Sequence, residues 1–76
     1  MEIVDAARGH LRLELNGRTT TVYGEFFAVG DIDYYIERAS IARWDDGASM
    51  SLPDQELIIR ELPGVATRSG LRLLIE

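Results

Sequence analysis

The sequence predicts an α+β fold, mostly β, with an antiparallel meander of four to five strands and one helix packed on one face. Three observations predict it. Apolar and polar residues alternate with a period of two along several segments of the first half of the chain, which is typical of half-buried strands. A segment with helical spacing follows Ser51, and alternation returns in a final C-terminal strand. With 76 residues and no linker or repeat, we expect a single domain, residues 1–76.

The N-terminal part of the chain predicts a hairpin, preceded by a short, weak strand from Glu2 to Ala6. From His10 to Asn16 leucine alternates with polar residues. Asn16-Gly17 is the strongest short hairpin signal, because a type I′ turn needs positive φ at both central positions. The β-branched residues that follow suit the partner strand. A two-residue loop fixes the register: Leu15 faces Arg18, Glu14 faces Thr19, Leu13 faces Thr20, Leu11 faces Val22, and His10 lies opposite Tyr23.

The middle of the chain predicts two further strands. Gly24 interrupts the second hairpin strand, and a glycine there indicates a bulge or a close backbone approach. After a turn at Gly30-Asp31, the alternation from Ile32 to Glu37 predicts a third, well-patterned strand. A fourth short strand is predicted from Ile41 to Asp45, and the residues from 48 to 52 are predicted to form a loop.

The helix is predicted to begin at Ser51, a good N-cap residue, with Pro53 and Asp54 in the first turn. One helical face is apolar, formed by Leu57, Ile58, Leu62 and Val65. We expect Pro63-Gly64 to end the regular helix, because proline cannot donate to the carbonyl of Ile59. The final strand is predicted from Leu71 to Glu76.

The charge of the chain narrows the classes of function. It has 13 acidic residues against eight basic residues, all arginine, for a formal net charge of −5. The segment from Gly24 to Glu56 holds eight of these acids and two arginines, and all six aromatic residues lie between Tyr23 and Trp44. Without a basic stripe, nucleic-acid binding is disfavoured. No apolar run is long enough to span a membrane and no basic leader begins the chain, so we expect no membrane partner and a cytoplasmic location.

Catalytic and metal-binding chemistry has few residues to use. There is no cysteine, and His10 is the only histidine. An ordinary strand-end role for that histidine is favoured over general-base catalysis, since no nucleophile or pocket is implied. Asp45-Asp46-Gly47 resembles part of a calcium loop but lacks the remaining ligands. We therefore predict a protein that is not an enzyme and has no cofactor or metal.

Protein binding is the remaining class, and the acidic, aromatic middle of the chain favours it. Tyr35 is out of phase with the core positions of its strand, and Trp44 is out of phase with Ile41. Exposed rings beside carboxylates are common at binding surfaces. The alternative of a buried Trp44 stays open, because a small domain needs its large side chains in the core. The predicted contact set is Glu25, Tyr35, Trp44, Asp45 and Asp46.

Several short motifs also resemble a known family. They are Arg8-Gly9, Asn16-Gly17-Arg18, Val22-x-Gly24-Glu25, Ser40-Ile41-x-x-Trp44 and a helix with an acidic start that carries Glu56 and Ile58. Together they resemble the Immunity protein 74 family of bacterial polymorphic toxin systems. Membership would imply a small, mostly-β protein that protects its producer by binding a cognate toxin.

Three functional hypotheses follow. The first is an immunity protein that occludes the surface of a basic toxin, such as a nuclease, because an acidic protein suits a basic partner. The second is a self-associating module that forms a homodimer through the strand from Leu71 to Glu76, where Leu74 is apolar on the outer side. The third is a carrier of a small ligand or peptide near Phe26, Phe27 and Tyr34, which the small size of the domain disfavours.

Overall fold

The computed structural model describes all residues from Met1 to Glu76. One five-stranded sheet contains the strands in chain order, and one helix packs against it. The elements are β1 (Glu2–Ala6), β2 (His10–Leu15), β3 (Arg18–Phe26), β4 (Tyr34–Ile36), a 3-10 turn (Arg38–Ser40), α1 (Leu52–Arg68) and β5 (Leu73–Ile75). The predicted α+β class, with one helix and a C-terminal strand after it, is confirmed.

The hairpin of β2 and β3 has the predicted register throughout, from Leu15 opposite Arg18 to His10 opposite Tyr23. Asn16 and Gly17 both have positive φ, 52° and 79°. This backbone twist matches that of the flanking strands, which is why Asn-Gly favours a two-residue connection. The turn therefore sets which hairpin side chains face the core.

The core lies between one face of the sheet and α1. The leucines of β2 belong there to one cluster with three of the four buried residues of the helix, Ile58, Leu62 and Ala66. Leu57, which was predicted on the same helical face, is half-buried and packs at the edge of this cluster. The one buried polar residue, Thr20, donates its hydroxyl to the carbonyl of Arg43 at 2.6 Å. The sheet thus has one apolar face and one outer face open to solvent.

The helix does not end at Pro63-Gly64, as the sequence predicted, but continues to Arg68. Pro63 removes one backbone hydrogen bond. The turn beyond it nevertheless buries Val65 and Ala66. Burial of apolar side chains stabilises a helix more than local propensity does, so the packing of this last part outweighs the cost of the proline.

The predicted fourth strand from Ile41 to Asp45 is wrong, since only a single bridge between Arg43 and Ser49 forms in this region. The segment instead runs along the edge of β3, where the backbone N–H of Asp45 donates to the carbonyl of Thr19 at 2.9 Å. Strand β4 pairs only with residues 24–26 of β3. On the side away from β2, the first half of β3 therefore has no strand neighbour, and the loop takes that place. The predicted third strand is also shorter than expected, spanning Tyr34–Ile36.

The C-terminal strand has a pairing that the sequence did not specify. β5 pairs parallel with β4, and Leu74 lies beside Tyr35. A parallel pair needs a long crossover connection, and here the chain between the two strands includes α1. The start of the pair is held by Asp33, which accepts hydrogen bonds from the backbone and the guanidinium of Arg72. No helix of the protein has the length and apolar character needed to cross a membrane.

Candidate protein-binding surface

The outer face of the sheet carries one of the predicted aromatic contacts. Tyr35 is half-buried and lies between Tyr34 and Ile36, both buried on the core side. The prediction that Tyr35 points away from the core is therefore confirmed. Its cross-strand neighbour on β3 is Glu25, so two of the predicted contact residues lie side by side.

These two residues line a hollow of about 460 Å³ at the end of the outer face. The ring of Phe27 meets that of Tyr35 edge-on, with 5.2 Å between centroids and 86° between planes. Two further carboxylates complete the wall. We call this hollow, lined by Gly24, Glu25, Phe27, Tyr35, Ile36, Glu37 and Glu76, the acidic hollow.

A close contact between strands forms the floor of the acidic hollow. A Cβ atom added to Gly24 would lie 1.8 Å from the carbonyl oxygen of Tyr35. Only glycine allows the two backbones to approach in this way. Of the two roles predicted for Gly24, the structure shows the close approach.

The carboxylates of the acidic hollow have no ionic partner in the chain. The ion pairs between arginines and aspartates are Asp45–Arg12, Asp46–Arg18 and Asp33–Arg72, and Asp5 lies 3.8 Å from the imidazole of His10. None of them includes Glu25, Glu37 or Glu76. Three uncompensated negative charges around one concave site create a potential that attracts a cation.

Trp44, a member of the predicted contact set, is buried, which is the alternative that the sequence left open. Only 5% of its surface is accessible, and its ring belongs to the core cluster. The loop that follows the 3-10 turn folds along β3 and carries the tryptophan inward. The guanidinium of Arg18 covers the ring at 4.3 Å from its centroid and pairs with Asp46 at 3.5 Å.

Asp45 is also bonded within the protein. Its carboxylate accepts from the hydroxyl of Thr21 at 2.9 Å and from Arg12 at 3.2 Å. Hydroxyl hydrogen bonds, from Thr19 first and also from Thr21, hold the pKa of Asp45 below its usual value. The hydrogen bond from Arg12 and its positive charge also lower the pKa of Asp45. These internal bonds offset the negative charge of Asp45 before any partner arrives.

The predicted contact set therefore divides into two groups. Glu25 and Tyr35 share the acidic hollow, whereas Trp44, Asp45 and Asp46 line other depressions near the first half of β3. The sequence prediction missed the other residues that line the acidic hollow, among them the ring of Phe27 and the carboxylates of Glu37 and Glu76. A signal was present, because each of these three lies two residues after an outer-face position, and alternate residues of a strand share a face.

No three histidine or carboxylate side chains come close enough together to form a metal site. The chemical features of the acidic hollow are its two aromatic rings and its three carboxylates. Carboxylates attract a cationic group, and exposed aromatic rings can stack on it.

Comparison with known proteins agrees with the resemblance seen in the motifs. No curated protein and no solved structure matches the sequence. The profile of the family named Immunity protein 74 matches residues 3–76, which is nearly the whole chain. The chain belongs to the Immunity protein 74 family.

Proposed function

We propose that this protein is a non-enzymatic immunity protein that binds a basic toxin, such as a nuclease, in the cytoplasm and neutralises it by covering its surface. Family membership supports an immunity function. The observation that carries the rest of the proposal is the acidic hollow, where three carboxylates without ionic partners surround an accessible pair of rings.

The charges and the rings have different effects in this proposal. The formal net charge of −5 and the unpaired carboxylates accelerate encounter with a basic protein and make the association rate sensitive to salt. The rings of Phe27 and Tyr35 supply apolar area that slows dissociation once the partner has docked. Glu25 and Tyr35 are therefore at the centre of the proposed contact.

The other members of the predicted contact set belong to the periphery of the proposed interface. Asp45 and Asp46 are exposed, and each retains a pairing with an arginine of the chain. Trp44 supports this region from within, through the ring covered by Arg18. A substitution of Trp44 would consequently change stability as well as binding, by about 3–5 kcal/mol for alanine.

The proposal is tested by toxin protection in growing cells. The double charge reversal Glu25→Lys and Glu37→Lys is co-expressed with a candidate basic toxin from which the wild-type protein protects the cells. We expect loss of protection and at least about a hundredfold loss of affinity for the purified toxin, because attraction becomes repulsion at the centre of the contact.

A matched control for that variant is Glu56→Lys with Glu61→Lys, which changes net charge equally on exposed positions of α1. Thermal unfolding of the two purified variants is the check that each of them is folded. Equal protection by the two variants would mean that the acidic hollow is not the toxin contact.

The second candidate function is self-association. β5 is the last strand of the sheet, with no strand on its other side, and Leu74 is 42% exposed. Unpaired edge strands can pair with a second copy. Light scattering at rising concentration tests this candidate: a homodimer that Leu74→Lys dissociates would support it, and a monomer at all concentrations would reject it.

A further inference from the structure

A second hollow, at the connection between β3 and β4, adjoins the acidic one. It has a volume of about 550 Å³ and is mostly apolar, with walls of Phe27, Val29, Gly30, Asp31, Ile32 and Tyr35. Phe27 and Tyr35 line both hollows. The edge-to-face ring pair is thus common to the acidic hollow and to a mostly apolar one. We call the second hollow the apolar hollow.

The apolar hollow includes apolar side chains that remain exposed to solvent in the folded protein. Val29 is 86% exposed and Phe27 is 38% exposed, and both belong to the connection between β3 and β4. Single exposed apolar residues are ordinary, but a contiguous apolar surface marks an interaction site. Apolar area is available here for a partner, directly beside the unpaired carboxylates.

We propose that this double hollow binds a toxin segment with an arginine or lysine in the acidic hollow and an aliphatic side chain in the apolar hollow. This inference rests on the proposed function and specifies the partner's contact chemistry. A guanidinium satisfies several carboxylates and stacks on an aromatic ring. An aliphatic side chain buries the exposed surface of Val29.

The spacing of the two side chains also follows from the shared wall. Two adjacent hollows that share Phe27 and Tyr35 as lining residues suit neighbouring side chains that point the same way from an extended segment. In a strand these are positions i and i+2, about 6.7 Å apart. The expected motif in the toxin is therefore a basic residue and an aliphatic residue separated by one position.

Capped peptides test this motif without the toxin. The probes are Gly-Arg-Ser-Leu-Gly, Gly-Arg-Ser-Ser-Gly and Gly-Glu-Ser-Leu-Gly, titrated into the isotope-labelled wild-type protein and followed by NMR. We expect the first to shift the resonances of Glu37 and Val29 together, and the other two to bind at least about fivefold more weakly. Equal binding of the three peptides, or shifts confined to one hollow, would overturn the inference.

Measurements of toxin binding by variants of the apolar hollow provide a second test. We expect Val29→Ser with Ile32→Ser to weaken toxin binding about tenfold or more, from the apolar contact that is lost. The matched control is Val4→Ser with Leu52→Ser, two exposed apolar residues elsewhere, which should stay within about twofold of wild type. Circular dichroism shows that each variant is folded before its affinity is compared.

The outcomes separate the two proposals. If the wild-type protein binds the toxin and the Val29 and Ile32 variant binds it equally well, the double-hollow inference is overturned and the proposed function stands. If the wild-type protein does not bind the toxin at all, the proposed function fails and the inference fails with it.

Discussion

Gly24 shows how much one residue contributes to the proposed surface. The Cβ atom of any other residue would meet the carbonyl oxygen of Tyr35 at 1.8 Å and the Cα of Ile36 at 2.8 Å. Both obstacles are backbone atoms, which cannot rotate away as a flexible side chain could. The floor of the acidic hollow therefore depends on the missing side chain at this position.

Gly24→Ala is predicted to destabilise the protein by about 3 kcal/mol or more, because β3 and β4 must separate to admit the methyl group. Chemical denaturation of the purified variant measures the change. Gly9→Ala is the control, since a Cβ there meets nothing within 4 Å. A Gly24→Ala protein as stable as the Gly9→Ala protein would show that the strands are not this close.

At the scale of the element, α1 begins at a well-formed N-cap but contains a proline and a glycine in its interior. The Ser51 hydroxyl accepts from the backbone N–H of Asp54 at 3.3 Å, which caps the first turn. Pro63 and Gly64 lie in the interior, where both residues are unfavourable. The helix persists because its last part contributes Val65 to the core.

Gly64→Ala is predicted to stabilise the protein by about 0.5–1 kcal/mol, since alanine loses less entropy in a helix and its Cβ meets only Arg68 at 3.8 Å. Urea denaturation measures the gain. Gly47→Ala is the contrasting control: its φ of +91° disfavours a side chain, so that variant should lose about 1 kcal/mol. A destabilised Gly64→Ala protein would contradict a continuous helix at this point.

At the scale of the whole molecule, carboxylates fall into bonded and unbonded classes. Asp33 and Asp45 are held by arginines and other donors that link distant segments. The side-chain hydrogen bond from Arg72, its backbone hydrogen bond and its charge lower the pKa of Asp33. Hydrogen bonds from Thr19, Thr21 and Arg12 lower that of Asp45. The carboxylates of the acidic hollow form no ion pair, so they are available to a partner.

This distinction predicts how stability depends on pH. A carboxyl group whose pKa in the folded state lies below its ordinary value of 3.8 stabilises the folded state at pH values above 3.8. Its contribution is lost as the pH falls through the lower folded pKa. We expect the Tm of the wild-type protein to fall between about pH 5 and pH 2.

The double variant Asp33→Asn and Asp45→Asn is predicted to have a lower Tm at neutral pH and a flatter profile across the acidic range. Glu61→Gln is the control, because Glu61 is exposed and forms no ion pair. Calorimetry at several pH values compares the three proteins. A double variant with an unchanged slope would contradict the stabilising role of the two aspartates.

The sequence by itself determined those features that arise from neighbouring residues. The register of the first hairpin follows from Asn16-Gly17, the start of α1 follows from Ser51, and the outward direction of Tyr35 follows from alternation along β4. Turn geometry, capping and side-chain periodicity act over a few residues. They could therefore be predicted without knowledge of the rest of the molecule.

Only the tertiary structure decided which distant residues meet. It placed β5 parallel to β4, kept α1 helical past Pro63, and moved Trp44 into the core. It also gathered the carboxylates of the acidic hollow from three places in the chain. These outcomes depend on the total burial of apolar surface and on which strand edges remain unpaired, and the spacing of residues along one segment does not contain that information.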